Sequence, residues 1–362
     1  MIEKCYRHAK KVIEECTTKH GLFASAGIDG YNAVWARDSM ISMIGASKST
    51  DIKFKEVFKQ SLLTLEKNQS KNGQIPNAVD RFSKRAPHTD FASIDSSLWF
   101  IIGNHEYKKR YKENIIKQSS INKALTWLSY QDTGEKGILE QLPTTDWQDA
   151  FPHKYGHVIS TQALYYRVLK QENKNKEANR LRFMINNNKD TKLWNNNFYA
   201  AYRWKNHNQY QEIGNWFDSL GNLLAIIFNL ADNQQANKIL NHIENTKINH
   251  PYPIKAIFPP IKKASKYWQD YFNDCDAKTP NHYLNGGIWP YLGGFYILSL
   301  IKLNKFKKAE NELNKLAEAN LKGNFPEWID PNTKKSYGKL QAWDAGMFMI
   351  AYKSLKQKKC LL

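Results

Sequence analysis

Two aspartates stand close together in the stretch TTDWQDAFPHKYG, which spans residues 144–156. Asp146 and Asp149 flank Trp147 between two helical patterns, where a plain connector would be rich in Gly, Ser, Asn and Lys. These residues therefore indicate either a loop packed under its neighbours or a cleft. A carboxyl group beside Trp147 and Phe151 is poorly solvated, which raises its pKa and suits it to donate a proton near neutral pH. We expect Asp149 to be that donor and Asp146 the alternative; a capping or ion-paired aspartate is the structural interpretation.

A third carboxylate, Glu327, lies between Pro326 and Trp328 in FPEWIDPNTKKSYGKLQAWDAG. Burying an unpaired carboxylate in a loop is costly, so its surroundings indicate a functional position. Glycosidic bond cleavage requires two carboxyl groups, one to protonate the leaving oxygen and one to activate water or attack carbon. A separation of roughly 6.5–9.5 Å between them is typical of inversion, and about 5 Å of retention.

Other polar clusters also precede predicted helices. Trp35, Arg37 and Asp38 form a Trp-x-Arg-Asp unit in VWARDSM, where Asp38 either caps a helix or binds sugar hydroxyls. Asn77 lies in GQIPNAVD, whose Gly and Pro are typical of a plain turn.

The segment NHYLNGGIWPYLGG contains another candidate binding element. Asn285 and Gly286 allow the backbone to approach a ligand closely, and Trp289 precedes a proline suited to the first turn of a helix. A turn with a buried Trp explains the same residues equally well.

Helical periodicity recurs along the chain, and strand alternation is rare. We predict twelve helices, near 2–19, 38–48, 52–68, 91–104, 111–130, 158–172, 175–187, 216–230, 233–244, 288–302, 305–319 and 341–356. Their connections alternate long and short, and the long ones lie near 20–37, 69–90, 131–157, 188–215, 245–287 and 320–340.

Twelve helices joined in this way make six antiparallel hairpins with every long loop at one end. Long loops inside a compact domain are usually functional, and a solenoid would show a repeat that this chain lacks. We therefore predict an all-α fold, an (α/α)6 toroid forming a single domain over residues 1–362. A small β-hairpin is expected near 195–213.

Composition restricts the function classes. The net charge is +19, but only nine of the 53 basic residues are Arg, so we interpret the charge as a Lys-rich surface rather than a specific nucleic-acid site. Cys5, Cys16, Cys275 and Cys360 show no metal-type or disulfide spacing, and the ten His show no ligand spacing. We expect no cofactor, metal or membrane span, and a cytoplasmic location.

The motifs resemble those of two glycoside hydrolase groups, and they occur in the same order. DAFPHKYGHVISTQALYYRVLK resembles the catalytic-Asp segment of alkaline/neutral invertases. WQDA is similar to the Trp-x-Asp-Ala of amylo-α-1,6-glucosidase (glycogen debranching) domains. VWARDSM, HYLNGGIWP and FPEW with QAWDAG resemble elements of both groups, so the resemblance covers about residues 20 to 355.

This resemblance implies an (α/α)6 barrel that inverts the anomeric centre, with Asp149 as general acid and Glu327 as general base. It also implies a pocket that holds a small oligosaccharide or glycoside. The predicted substrate-binding residues are Trp35, Arg37, Asp38, Asn77, Asp146, Trp147, His157, Gln162, His282, Asn285, Gly286, Trp289, Gln341 and Trp343.

The chain departs from both groups in ways that affect specificity. Ala150 and Phe151 stand where the invertases carry two Arg after the catalytic Asp, which weakens the case for sucrose. We expect no N-terminal β domain of the kind usual in debranching enzymes, and therefore a small glycoside rather than a branched polymer.

Two other function classes remain open at this point. A sugar epimerase or isomerase on the same toroid would use paired His, and His153, His157 and His282 are the loop candidates. A basic non-enzymatic scaffold would bind polyanions in a salt-dependent way.

Overall fold

A computed structural model describes residues 1–27, 30–80, 89–206 and 210–362. Over these residues it contains α1 (Ile2–Glu15), α2 (Ala36–Ala46), α3 (Lys53–Lys67), α4 (Asp95–Tyr111), α5 (Gln118–Ser129), α6 (Ile159–Gln171), α7 (Asn175–Asn186), α8 (Ser219–Ile227), α9 (Asn233–Asn245), α10 (Pro290–Lys302), α11 (Phe306–Gly323) and α12 (Ala342–Lys356). Each predicted helix has a counterpart, with ends displaced by up to seven residues; the end of α4 and the start of α5 differ most from the prediction.

The even-numbered helices form a closed inner ring. In order, α2, α4, α6, α8, α10 and α12 each pack against the next, and α12 returns to α2. The odd-numbered helices lie outside this ring, as α3 does against α2 and α4 and α7 against α6. The expected toroidal arrangement of helical hairpins therefore describes these contacts.

Burial explains which helices lie inside. Every residue of α2 and α8 is buried, because each has neighbours on all sides. The outer helix α11 instead buries one stripe that includes Ala309, Leu313 and Leu316, while its lysines face outward.

The first and last inner helices meet through small residues. A Cβ atom added at Gly45 of α2 would lie 1.9 Å from the carbonyl oxygen of Gly346 in α12, and one added at Gly346 would lie 2.4 Å from Ser42 O. We call this contact the glycine seam; it brings the two backbones together where the ring closes.

The all-α expectation is incomplete, because the described residues also form short strands. These are β1 (Thr17–Thr18), β2 (Gly21–Leu22), β3 (Val34–Trp35), β4 (Ala78–Val79), β5 (Thr89–Asp90), β6 (His157–Val158), β7 (Ala200–Lys205), β8 (Gln211–Asp218), β9 (Ile257–Phe258), β10 (Trp328–Ile329) and β11 (Ser336–Tyr337). Most contain two residues, too few for an alternating pattern to reveal them in a sequence.

The largest sheet is antiparallel with the order β6-β7-β8-β9. Its β7–β8 pair confirms the hairpin expected near 195–213, with a register shift between Ala200 and Tyr202. The tip of this hairpin, residues 207–209, lies outside the described residues. Strands β3, β6 and β8 lead directly into α2, α6 and α8, so pairing between loops holds the entrances of inner helices in place.

All six long connections enter the N-terminal ends of inner helices, and the short ones leave their C-terminal ends. The helices of the ring thus present their N-termini, the positive ends of their dipoles, to one set of loops. We call this the loop end of the ring and the other the closed end. In the described part of the chain, no helix is long and apolar enough to cross a membrane.

Candidate active site

A cavity opens at the loop end of the ring. It is lined by Ala24, Tyr31, Trp35, Arg37, Asp38, Trp147, Asp149, Tyr283, Trp289, Glu327, Gln341 and Trp343. Four long loops and the first turns of α2 and α12 supply these residues. Asp149 and Glu327, chosen as the catalytic pair from separate loops, therefore share one cavity.

Seven of the predicted binding residues lie elsewhere: Asn77, Asp146, His157, Gln162, His282, Asn285 and Gly286. Several of these side chains use their polar atoms to hold loops. The Gln162 amide donates to Leu139 O at 2.6 Å and accepts from its N–H at 3.1 Å. The Asn285 amide donates to Ile261 O and Ala277 O at 2.8 and 2.9 Å. These two residues support the cavity from outside its lining.

The other residues outside the lining also have protein partners or a backbone role. Asn77 donates to Asp90 Oδ2 at 2.8 Å. His157 Nδ1 lies 3.3 Å from Leu139 O, and His282 Nε2 lies 3.6 Å from an oxygen of Asp330.

Gly286 has φ +93°, a turn conformation that favours glycine. Asp146, the alternative proton donor, is ion-paired to Lys154 at 2.9 Å and does not line the cavity.

Glu327 is partly buried and faces the cavity. The Tyr31 hydroxyl donates to its Oε1 at 3.0 Å. Burial raises the pKa of Glu327 to about 7; the Tyr31 hydrogen bond opposes this, and the charges of Asp38 and Asp149 reinforce it. Gly338 packs against the same side chain, since an added Cβ there would lie 2.7 Å from Glu327 Cβ.

Asp149 is exposed toward the cavity, but protein surrounds it on the other sides. Poor solvation raises the pKa of Asp149, the Arg37 charge opposes this, and Asp146 and Asp95 add to it. Two residues further along, Phe151 is buried against Phe272, with ring centroids 4.4 Å apart. The loop therefore presents the carboxyl group to the cavity while its aromatic part is held in the core.

Arg37 and Asp38 both line the cavity, but the nearest partner of Arg37 is a residue that the sequence did not indicate. Arg37 Nη1 donates to both carboxylate oxygens of Asp95 at 3.0 Å, whereas Arg37 Nε lies 3.8 Å from Asp38 Oδ2. The N-cap of α2 is Trp35, whose side chain makes no capping hydrogen bond, and Asp38 lies in the first turn of the helix. Burial raises the pKa of Asp38 to about 6 despite the opposing charge of Arg37.

Buried polar atoms in this lining lack hydrogen-bond partners within the described protein. They are the indole Nε1 atoms of Trp35, Trp147 and Trp343, Arg37 Nε and Asp38 Oδ2. Buried donors and acceptors are normally paired, because an unmade hydrogen bond costs free energy. These atoms belong to residues that line one cavity, and two of them, Arg37 Nε and Asp38 Oδ2, lie 3.8 Å from each other.

Aromatic rings form the remaining wall. Trp147 and Trp289 meet at nearly a right angle with centroids 5.4 Å apart, and Trp343 stacks on Tyr291 at 4.1 Å with an interplanar angle of 10°. Indole rings offer apolar faces beside polar N–H groups, a combination that suits the mixed surface of a sugar ring.

Sequence reasoning missed Ala24, Tyr31 and Tyr283 in the lining. Tyr31 lies four residues before Trp35, and Tyr283 lies inside the NHYLNGG motif, but neither position has a distinguishing spacing. Tyr283 has φ +45°, uncommon for an aromatic residue, and this strained backbone is a structural sign of a functional position.

A second groove, at the closed end between α1, α11 and α12, is a different kind of site. Of its two acidic residues, Glu310 is exposed, and Glu3 is ion-paired to Lys356 at 3.2 Å and accepts from the Tyr352 hydroxyl at 2.6 Å. Both charged side chains are exposed. This groove therefore lacks the poorly solvated carboxyl groups of the cavity at the loop end.

The geometry defines a class: a helical ring in which two carboxyl groups from separate loops share a cavity suited to a polyhydroxylated ligand. Two family models match the chain. Alkaline and neutral invertase matches residues 200–358, and amylo-alpha-1,6-glucosidase matches residues 7–129. The expected resemblance to both groups is confirmed. Glu327 lies within the first range, whereas Asp149 lies between the two.

Individual relatives agree with these matches. Alkaline/neutral invertase C, mitochondrial, from Arabidopsis thaliana is 31% identical over 148 residues, which cover 39% of this chain and 22% of that protein. The chain thus spans about a fifth of the length of this relative. Other invertase relatives are named chloroplastic or cytosolic, so the location of this chain stays a prediction.

Solved structures show the same fold. The GH63 mannosylglycerate hydrolase from Thermus thermophilus, in complex with Tris and D-glycerate, has a TM-score of 0.69 at 12% identity. The match covers 95% of this chain and 99% of that one. A glycosidase in complex with glucose has a TM-score of 0.69 at 14% identity, covering 98% and 97%. The solved structures thus support the fold, and the two family models and the invertase relatives support a glycoside hydrolase.

Proposed function

We propose that this chain is an inverting glycoside hydrolase that acts on a small α-glucoside or a related glycoside. The observation that carries the proposal is the joint placement of Asp149 and Glu327 in one cavity with unpaired hydrogen-bonding atoms. The pKa of each carboxyl group is raised, so each can hold a proton closer to neutral pH than an ordinary side chain.

Asp149 is the proposed proton donor. It transfers its proton to the glycosidic oxygen as the bond from that oxygen to the anomeric carbon breaks. Water attacks the anomeric carbon from the opposite face, and Glu327 accepts a proton from that water. The Tyr31 hydroxyl suits Glu327 to this role, because its hydrogen bond favours the carboxylate form.

The transition state resembles an oxocarbenium ion and develops positive charge. Asp38 faces the same cavity, and Asp95 offsets the charge of Arg37 behind it. Acidic groups therefore outnumber cations around the reacting carbon, an arrangement that favours positive charge there.

Histidine chemistry of the epimerase type has less support. In the described part of the chain, no histidine lines the cavity. His153 lies 2.8 Å from the Tyr271 hydroxyl, and His157 and His282 face Glu140 and Asp330. The scaffold alternative, in which the basic surface binds polyanions, stays a separate prediction tested by salt-dependent binding.

A panel of glycosides followed by NMR tests the proposal, because it reports activity, substrate and anomeric configuration together. We expect release of a sugar whose first-formed anomer is opposite to that of the substrate. A product that retains configuration would contradict inversion, since retention requires the carboxyl groups at about 5 Å rather than roughly 6.5–9.5 Å. No release from any glycoside would reject the hydrolase.

A further inference from the structure

Lys154 is a fully buried lysine in the loop that carries Asp149. Its Nζ lies 2.9 Å from Asp146 Oδ2 and 3.0 Å from Asp218 Oδ2, and it donates to Gln148 Oε1 at 2.6 Å. An ammonium group has three protons, and three acceptors are in place for them. Lys154 is therefore held in one position.

Two of these acceptors close the loop on itself. Asp146 and Gln148 precede Asp149, and Lys154 follows it. Asp146 Oδ1 accepts from the Gln148 N–H at 2.9 Å, and Gln141 Nε2 donates to Asp146 Oδ2 at 3.2 Å. None of these contacts uses the Asp149 carboxyl group, so they form a bracket on both sides of it.

The third acceptor anchors the bracket to the ring. Asp218 is the N-cap of α8, and its Oδ1 accepts from Gly221 N at 2.8 Å. Because α8 packs between α6 and α10, the loop is tied to the inner ring through a buried ion pair. Removing one partner of such a pair leaves an uncompensated charge, so the loop would have to move or the remaining charge would have to be neutralised.

We propose that Lys154 is a positioning residue that holds Asp149 at the glycosidic oxygen. This inference rests on the proposed function, in which Asp149 donates the proton to the leaving group. A misplacement of about 1 Å can lower a rate about 10²-fold. The affected step is the transfer of the Asp149 proton to the departing oxygen, so the defect depends on whether the leaving group needs a proton.

The test compares Lys154→Met with the native protein on two substrates that share the sugar found in the glycoside panel. An alkyl glycoside has a leaving group that needs a proton, whereas a glycosyl fluoride has one that depends on it far less. We expect kcat for the alkyl glycoside to fall about 10²-fold with little change in KM, and kcat for the fluoride to fall less than about fivefold. An equal loss on both substrates would overturn the positioning role.

Lys48→Met is the matched control. Lys48 is also largely buried and ion-paired to a carboxylate, Glu106 at 3.1 Å, but at the closed end of the ring. We expect this variant to lose thermal stability while the ratio of its two rates stays native. A change of that ratio equal to the one in Lys154→Met would show that any broken buried pair produces it, and would reject a specific role for Lys154.

Asp218→Asn covers the case in which Lys154→Met does not fold, since Asn keeps a capping oxygen for α8. It should show the same dependence on leaving group with a smaller loss, and an equal loss on both substrates would count against the proposal.

If the native protein hydrolyses no glycoside, the proposed function fails and this inference fails with it. If Asp149→Asn shows the leaving-group dependence and Lys154→Met and Asp218→Asn do not, only the positioning role is wrong.

Discussion

Glu106 and Glu327 are glutamates near opposite ends of the inner ring, and their pKa values are shifted in opposite directions. Burial raises the pKa of Glu106, but Lys48 and Arg167, each 3.1 Å away, outweigh burial and hold that pKa below its ordinary value. Burial raises the pKa of Glu327 to about 7, and its hydrogen-bond partner is the neutral Tyr31 hydroxyl.

The difference indicates that the two ends of the ring have different roles. At the closed end the connections are short and the buried carboxylate is compensated by cations, so that end contributes stability. At the loop end the connections are long, and among the described residues Glu327 has no cation beside it and several polar atoms are unpaired. Such groups cost folding free energy and are the ones that a bound substrate can satisfy.

The largest expected effect is the loss of activity when either carboxyl group of the cavity is neutralised. Asp149→Asn and Glu327→Gln should each lower kcat about 10³-fold, because general acid and base groups contribute at this level. Steady-state kinetics on the substrate identified by the panel measures this effect. Circular dichroism should show a native helical content. A variant with native kcat would remove that residue from the catalytic pair.

The second-largest expected effect is a loss of folding stability when the buried carboxylate at the closed end is neutralised. Glu106→Gln leaves Lys48 and Arg167 without their carboxylate, so we expect the free energy of unfolding to fall by about 3 kcal/mol. Denaturant titration measures the loss, and kcat should stay native at temperatures where the variant is folded. A large fall in kcat with unchanged stability would contradict the assignment of the closed end to stability.

A smaller effect concerns the dependence of stability on pH. The folded-state pKa of Glu327 is about 7, above its ordinary value of 4.5, so the folded protein binds this proton more tightly than the unfolded chain. The resulting stabilisation is fully present below pH 4.5 and is lost as the pH rises through about 7. Thermal melts should therefore show native stability falling relative to Glu327→Gln across this interval. Parallel curves for the two proteins would contradict the raised pKa.

The smallest effect refines the role of Tyr31. Its hydrogen bond lowers the pKa of Glu327, so Tyr31→Phe should raise that pKa further and move the acidic limb of the kcat/KM profile to higher pH. At pH 7 we expect kcat/KM to fall about threefold. Tyr271→Phe is the control, because Tyr271 is similarly exposed but lies outside the cavity. An acidic limb that does not move would show that the hydrogen bond does not tune Glu327.

Periodicity predicted the outer helices well because each, like α11, is long enough to show a buried stripe, whereas inner helices such as α2 and α8 are buried on all sides. The ring order also followed, since alternating short and long connections leave few ways to arrange hairpins. The β7–β8 hairpin was expected, but the two-residue strands were missed, because strands such as β3 and β6 form only when distant loops meet. The single-domain assignment stays a prediction.

In the cavity, sequence reasoning selected residues whose informative neighbours lie close to them in the sequence. Trp147 and Phe151 identified Asp149, and the Trp-x-Arg-Asp unit identified Arg37. The partners of these side chains come from other helices and loops, as Asp95 of α4 does for Arg37 of α2. No spacing in the local sequence indicates such partners. Gln162 lies in a recognisable motif, but its side chain is hydrogen-bonded to Leu139 and does not line the cavity, which the local sequence does not reveal.

The glycine seam also determines the stage of folding at which the two sides of the cavity come together. Gly45 and Gly346 are about 300 residues apart, so their contact has a far higher sequence separation than the other neighbouring pairs of the ring and we expect it to form late in folding. Arg37 and Asp38 lie on one side of the seam, and Glu327 and Trp343 lie on the other. Local opening of α12 from α2 should therefore abolish catalysis while most helices remain folded, and activity should disappear before helical circular dichroism in a denaturant titration.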